Sequence, residues 1–296
     1  MRPDEESREA SLTREDVASI LRICSPDGLL VGGQALGLWV DQLGVERPAI
    51  FVASITTDAD FLGSAQLART LGRGIGWKTW VASLDDYSPQ IAKVTHLEPD
   101  GAIKQVDFLS GVVGLNTIDV RRRAICLEVS GIGSVTLMHP VDVLASRIAN
   151  LQVLPAKRTP AGFAQARLAI DMVAAFIREQ IKSRGARAGL RLLERVVGIA
   201  EDHSGLLVFV LYGIDVLKAA PVDAFLDMPE LQSRRWPQVL AEVGLRRKAL
   251  AKLANRVSDS RPHEAKPGKR RPAARKTPAP RARARGKSDD GGGRRR

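Results

Sequence analysis

A mixed α/β region, then a helical region, then a basic tail is the organisation the sequence predicts. Three observations predict it. Short apolar runs broken by Gly-rich turns crowd the chain up to Leu137. From Pro140 onward the apolar positions recur at helical spacing. After Val257 apolar side chains stop, for Ser258–Arg296 holds no Leu, Ile, Val, Phe, Tyr or Trp. The expected boundaries are 1–138, 139–257 and 258–296.

The elements follow in order. Thr13 to Ile23 places Val17, Ile20 and Leu21 on one face and opens on Thr13-Arg-Glu-Asp16, a capping-box start that predicts a helix. Ser25-Pro-Asp-Gly28 is a turn signal. Leu29–Val31 is a short buried strand, Gly32-Gly33 ends it, and Gln34–Gln42 is the following helix. The next strand is Ile50–Ser54 or Ile55–Leu62, then a helix over Ser64–Leu71, a Gly-rich break over Gly72–Gly76, and a strand over Trp77–Ala82. Ile91–Leu97 and Ala102–Leu109 alternate around Glu98-Pro-Asp-Gly101, which predicts a β-hairpin. Ala124–Val129 and Ser134–Leu137 form a second pair around Gly131-Ile-Gly133. Helices are expected over Val141–Leu151, Phe163–Ser183, Arg187–Ala200, Leu206–Ala219 and Trp236–Val257.

Composition narrows the function classes. The 296 residues are 44% hydrophobic and 26% charged, a globular balance. Two cysteines, Cys24 and Cys126, support neither a disulfide scaffold nor a four-Cys zinc site; they read as reduced apolar residues of a cytoplasmic protein. Met1–Asp16 is acidic and polar, unlike a signal peptide. The most apolar run, Leu206–Ile214, is far short of the roughly 20 residues of a membrane span, so no membrane partner is expected. The formal charge is +12, but 258–296 holds 14 Lys or Arg and 4 Asp or Glu. The tail therefore carries +10 and the rest +2. Such a tail cannot bury apolar area, is expected to be disordered, and offers sequence-independent binding to nucleic acid through counterion release.

The chemistry concentrates in two segments, Val31-Gly-Gly-Gln-Ala-Leu36 and Ile55-Thr-Thr-Asp-Ala-Asp-Phe61. Alternate side chains of a strand share a face, so Asp58 and Asp60 project together with Ala59 opposite. Two such carboxylates repel unless a cation lies between them, and hard oxygen ligands suit Mg²⁺. Asp107 adds a third carboxylate in the apolar setting Val106-Asp-Phe108, a costly place for an unpaired charge. Gly32-Gly33 sits between strand and helix, where backbone N–H groups can hold phosphate.

In this order, Gly32-Gly33, Asp58-Ala-Asp60 and Asp107 resemble the nucleotidyltransferase superfamily, whose fold is shared with polymerase beta. The wording Gly-Gly-Gln-Ala-Leu, Thr-Asp-Ala-Asp-Phe and Val-Asp-Phe-Leu is most similar to the abortive-infection toxin type. His139-Pro140, Ala145-Ser-Arg147, Arg167 and Asp171 match that group's later helices more loosely. One departure is the long stretch between Gly33 and Asp58, filled by Arg47-Pro-Ala-Ile-Phe51. The resemblance implies a mixed-sheet catalytic domain over 1–138 with a helical domain behind it. It implies two Mg²⁺ ions on Asp58, Asp60 and Asp107, and a nucleoside triphosphate held by Gly32, Gly33, Gln34, Thr57 and Arg147. The acceptor it implies is a hydroxyl of RNA or tRNA, and a toxin of this type would have an antitoxin protein as partner. Two other readings share the residues. One is a non-catalytic nucleic-acid-binding protein on a degenerate version of the fold; the other is a small-molecule nucleotidyltransferase of the antibiotic-modifying kind.

Plainer roles are expected for several neighbours. Trp39 belongs with Leu36 and Val40 in a core, His139 in the turn before Pro140, and Trp77 at a strand start. Lys157 and Arg158 read as solvated loop charges, and Arg121-Arg-Arg123 as a solvated turn. His96 lacks partners at zinc spacing. Deleting 258–296 is expected to weaken nucleic-acid binding and flatten its dependence on salt, measured as the slope of log affinity against log salt concentration.

Overall fold

The computed structural model describes residues 9–25, 27–51, 58–83, 85–86 and 88–259, without the side chains of 254–259. Thr57 and the segment 260–296, most of the basic tail, lie outside the described residues. The first helix, α1 (Arg14–Cys24), begins as its sequence predicts. The Thr13 hydroxyl accepts the Asp16 N–H at 3.1 Å, and the Asp16 carboxylate accepts the Thr13 N–H at 2.8 Å. β1 (Leu29–Val31) is buried throughout and leads into α2 (Gly32–Gln42). That helix starts at the glycine pair rather than at Gln34. A 3₁₀ turn over Ala49–Phe51 occupies the beginning of the first alternative strand, and β2 (Ala59–Leu62) falls within the second.

α3 (Ala65–Ile75) is capped by the Ser64 hydroxyl and runs through the expected glycine break. Gly72 is buried against Thr79, where a side chain would collide, and Gly76 takes the left-handed conformation that ends the helix, φ 72°. Both glycines therefore serve the helix rather than interrupt it. β3 (Lys78–Val81), β4 (Gln90–Leu97) and β5 (Ile103–Leu109) follow, with the β4–β5 hairpin closed at the expected turn. α4 (Thr117–Arg122), capped by Asn116, replaces the expected turn at 121–123. β6 (Ile125–Val129) and β7 (Gly133–Leu137) form the second hairpin.

These strands make one mixed seven-stranded sheet in the order β3-β4-β5-β2-β1-β7-β6. The β2–β5 and β1–β7 pairs are parallel; the others are antiparallel. One face carries Phe61, Phe108, Val106, Ala92 and Val94, all fully buried, and Phe61 stacks on Phe108 at 5.8 Å between centroids. Period-two alternation sends the polar residues of the same strands to the opposite face.

The helical half comprises α5 (Pro140–Val153), α6 (Pro160–Arg184), α7 (Ala186–Glu201), α8 (His203–Tyr212) and α9 (Trp236–Asp259). The helix expected over Leu206–Ala219 is broken: Gly213 closes α8 in the left-handed conformation, and Val216–Ala219 is a separate 3₁₀ turn. By length and composition alone α6 could cross a membrane, but 44% of its apolar window is buried and it packs on α2, α5 and α7, as a core helix does. Trp39 joins the two halves, as its expected core role requires. Its indole donates to the Met138 carbonyl at 2.9 Å, and its ring meets the edge of Phe176 at 5.6 Å. The described residues up to Asn255 belong to one compact unit, so the expected boundary at 138/139 marks a change of element type within that unit.

A buried ionic clamp fixes the start of α5. Asp142 accepts from Arg123 at 2.9 and 3.1 Å and from Arg195 at 2.7 Å. His139 caps the helix by accepting the Val141 N–H at 3.1 Å. Its burial, with Arg195 and Arg123 nearby, pushes the imidazole down to about 3, so it is neutral. Asp142→Ala would strand two guanidinium groups. It is expected to cost about 3–5 kcal/mol in urea unfolding, whereas Asp223→Ala, which breaks the exposed Arg178–Asp223 pair, should cost less than about 1 kcal/mol.

Candidate metal centre

The register of three strands assembles the site. Val31 of β1 faces Asp60 of β2, and Asp60 faces Asp107 of β5. Directly opposed residues of paired strands lie on one face, so Asp60 and Asp107 stand side by side. Asp58 precedes β2 by one residue. One carboxylate oxygen from each of Asp58, Asp60 and Asp107 lies within 4.8 Å of the others, and all three residues are half-buried. Ala59, between the first two, is buried on the opposite side.

Gly32 forms the wall beside Asp60. Its φ is 70°, and a Cβ there would collide with the Asp60 carboxylate. Only glycine meets both conditions. The long connection between α2 and β2 therefore does not separate the glycine pair from the acids. Gly32 and Gly33 are buried in the first turn of α2, whose N-terminus has no side-chain cap, and Gln34 follows in the same turn. The positive end of that helix is thereby set next to Asp60.

Cations and amides surround the cluster. Gln90 donates to Asp107 at 2.6 Å, and the Lys93 ammonium lies 4.0 Å from it. Arg147 of α5 donates to Gln165 at 3.0 Å, while its Nε is buried without a hydrogen-bond partner. Arg147 and Lys157 both act on Asp60 electrostatically. Burial, then the Asp58 charge, pushes the Asp60 carboxyl up to about 7 against the pull of Arg147; Asp107 adds to the rise and Lys157 opposes it. Burial also raises Asp107, with Lys93 opposing. Burial lowers the Arg147 guanidinium while Asp60 and Asp58 oppose. The arrangement fits a hard divalent cation: three convergent carboxylate oxygens are mutually unfavourable without one.

The structure thus brings together Asp58, Asp60, Asp107, Gly32 and Arg147, with Gly33 and Gln34 one helical turn away at most. Arg167 and Asp171 lie on an exposed face of α6, with Asp171 beside Lys218. His139 is absorbed by the α5 cap, and Arg158 binds the Leu151 and Gln152 carbonyls at the end of that helix. Cys24 and Cys126 are both free, the former buried and the latter exposed. Sequence reasoning missed Lys93 and Gln90; Lys157 is exposed, as expected of a solvated loop charge, and also acts on Asp60 electrostatically. Lys93 was recoverable, because counting back from the Glu98–Gly101 turn pairs it with Asp107.

Two concavities among the described residues, about 940 and 1030 Å³, include none of the three acids. The acids instead occupy a sheet face. In comparisons with family models and with curated proteins, nothing matches the sequence.

The Asp60 shift has a definite sign. Between about pH 4 and 7 the folded protein keeps a proton that the unfolded chain has released, so this group's contribution to stability falls as pH rises through that window. In the presence of a chelator, Asp60→Asn is expected to match wild type near pH 4. At pH 8 it should exceed wild type by on the order of 3 kcal/mol in denaturant midpoint experiments.

Proposed function

We propose that the chain is a Mg²⁺-dependent nucleotidyltransferase on a polymerase-beta-like fold, moving a nucleoside monophosphate from a nucleoside triphosphate to an acceptor hydroxyl. One observation carries this reading: Asp58, Asp60 and Asp107 converge within 4.8 Å on one sheet face, with Gly32 pressed against Asp60 at the start of a helix. A surface cluster of acids has no need of a glycine shaped to one carboxylate.

In this reading Asp58, Asp60 and Asp107 would hold two Mg²⁺ ions, which would supply Lewis-acid polarisation of the α-phosphate and a lowered pKa at the acceptor hydroxyl. The remaining work belongs to the chain. The uncapped N–H groups at the start of α2 hold phosphate oxygens, as a helix N-terminus can. Arg147 and Lys157 neutralise triphosphate charge, the former through a planar guanidinium with an unused donor. Asp107, raised by burial and oriented by Gln90, stands ready to take the acceptor's proton. The acceptor oxygen bonds to the α-phosphorus as pyrophosphate leaves. The strongly basic 258–296 segment supports a polyanionic acceptor such as RNA.

Incubation with each α-labelled nucleoside triphosphate, Mg²⁺ and total RNA tests this. Wild type is expected to label RNA, and Asp58→Ala to lower that labelling at least about a hundredfold, the scale of losing one preorganised electrostatic group. RNA binding without transfer by either protein would instead favour the non-catalytic alternative.

A further inference from the structure

The face that carries the acids does not end at Asp107. Strand register continues it across two more strands: Asp107 faces Lys93 of β4, and Lys93 faces Trp80 of β3. Gln105, Thr95 and Lys78 form the adjoining row, paired in the same way. At strand spacings of about 4.8 Å, Trp80 stands roughly 10 Å from Asp107, and Lys78 about 7 Å from Trp80 along the same strand. The side chains agree with the register. Lys93 donates to Gln105 at 3.3 Å and approaches Asp107 at 4.0 Å.

Among the described residues, this part of the face is exposed at Lys78 and Trp80. α3, the helix packed on β3 and β4, lies against the other side, where Thr79 meets Gly72. Lys78 is exposed, and Trp80 is 47% exposed on an edge strand. The other three tryptophans are engaged: Trp39 is buried, Trp77 stacks on His96 at 5.4 Å, and Trp236 packs against the core. An exposed indole thus stands beside two ammonium groups, in line with the acids. Its chemistry matches one occupant. A π-face can stack on any unpaired base, and lysine ammonium groups donate to the phosphates on either side.

We infer that the β3–β4 face is the docking track for the single-stranded end of a polynucleotide, with a base stacked on Trp80 and phosphates at Lys78 and Lys93. The track leads the strand's terminal hydroxyl towards Asp107. That last point rests on the nucleotidyltransferase reading; the binding itself does not. A duplex does not fit, because its bases already stack on one another and offer the indole no free face.

Fluorescence anisotropy of the full chain with a short labelled oligoribonucleotide, without metal or nucleotide, tests the track. High salt screens the contribution of the basic tail and leaves stacking in place. Trp80→Ala is expected to weaken binding about tenfold or more, and Trp80→Phe to retain most of it. Lys78→Ala should weaken binding at low salt and reduce the salt slope by about 1. A matching duplex should bind far less tightly than the single strand at high salt. An oligodeoxyribonucleotide arm distinguishes RNA from DNA as the source of the strand. Unchanged affinity in Trp80→Ala, with an unaltered circular dichroism spectrum, would overturn the inference, as would equal affinity for the duplex. The two readings fail separately. Trp80-dependent binding without transfer removes catalysis and keeps the track. Asp58-dependent transfer whose acceptor KM is unmoved by Trp80→Ala keeps catalysis and removes the track.

Discussion

Repulsion among three carboxylates on neighbouring strands is the constraint around which the fold is arranged. Parallel pairing of β2 with β5 puts Asp60 and Asp107 in direct register, and Asp58 joins them from the end of the strand. Every surrounding feature bears on that repulsion. Arg147, Lys157 and Lys93 offset it, Gln90 donates into it, and the positive end of α2 faces it. Burial first, and the Asp58 charge second, still hold the Asp60 carboxyl above its ordinary range against the pull of Arg147. A site fully neutralised by its own chain would have no affinity left for a cation.

The two halves are bound together by this arrangement. The acids come from the sheet, whereas Arg147 and Lys157 come from α5 and the 3₁₀ turn after it. The position of α5 is set in turn by the Asp142 clamp and the His139 cap at its start, and by Trp39 reaching from α2 to Met138. Charge at the site therefore depends on packing some distance away from it. The sheet itself divides the labour between faces. Phe61, Phe108, Val106 and Val94 supply burial on one side, and Asp60, Asp107 and Lys93 lie on the other.

Local signals made most of the elements legible in the sequence. Thr13 and Asp16 announce α1, and Glu98-Pro-Asp-Gly101 announces the β4–β5 hairpin. The acids were legible because a charge bracketed by Val106 and Phe108 is anomalous wherever it falls. What could not be read were facts about distance. Gly72 and Gly76 look like a break until Thr79 is seen filling the space beside one and the helix ending on the other. Lys157 is solvated as its loop setting suggests, but only the fold brings its charge within electrostatic reach of Asp60. Arg123 looks like part of a surface run until Asp142 accepts it. The order of strands, with β5 inserted beside β2, has no local signature at all.

That inserted strand has a consequence in time. Parallel neighbours cannot be joined by a tight turn, so the chain must make α3, β3 and β4 before β5 can lie beside β2. Until then the β2 edge that carries Asp60 lacks its β5 neighbour. The carboxylates thus meet only when a long-range contact closes, and such contacts are the slow ones in folding. A chain emerging from the ribosome carries its acids apart, each solvated and harmless to stability. Only the assembled sheet acquires both the charge conflict and the capacity that comes with it.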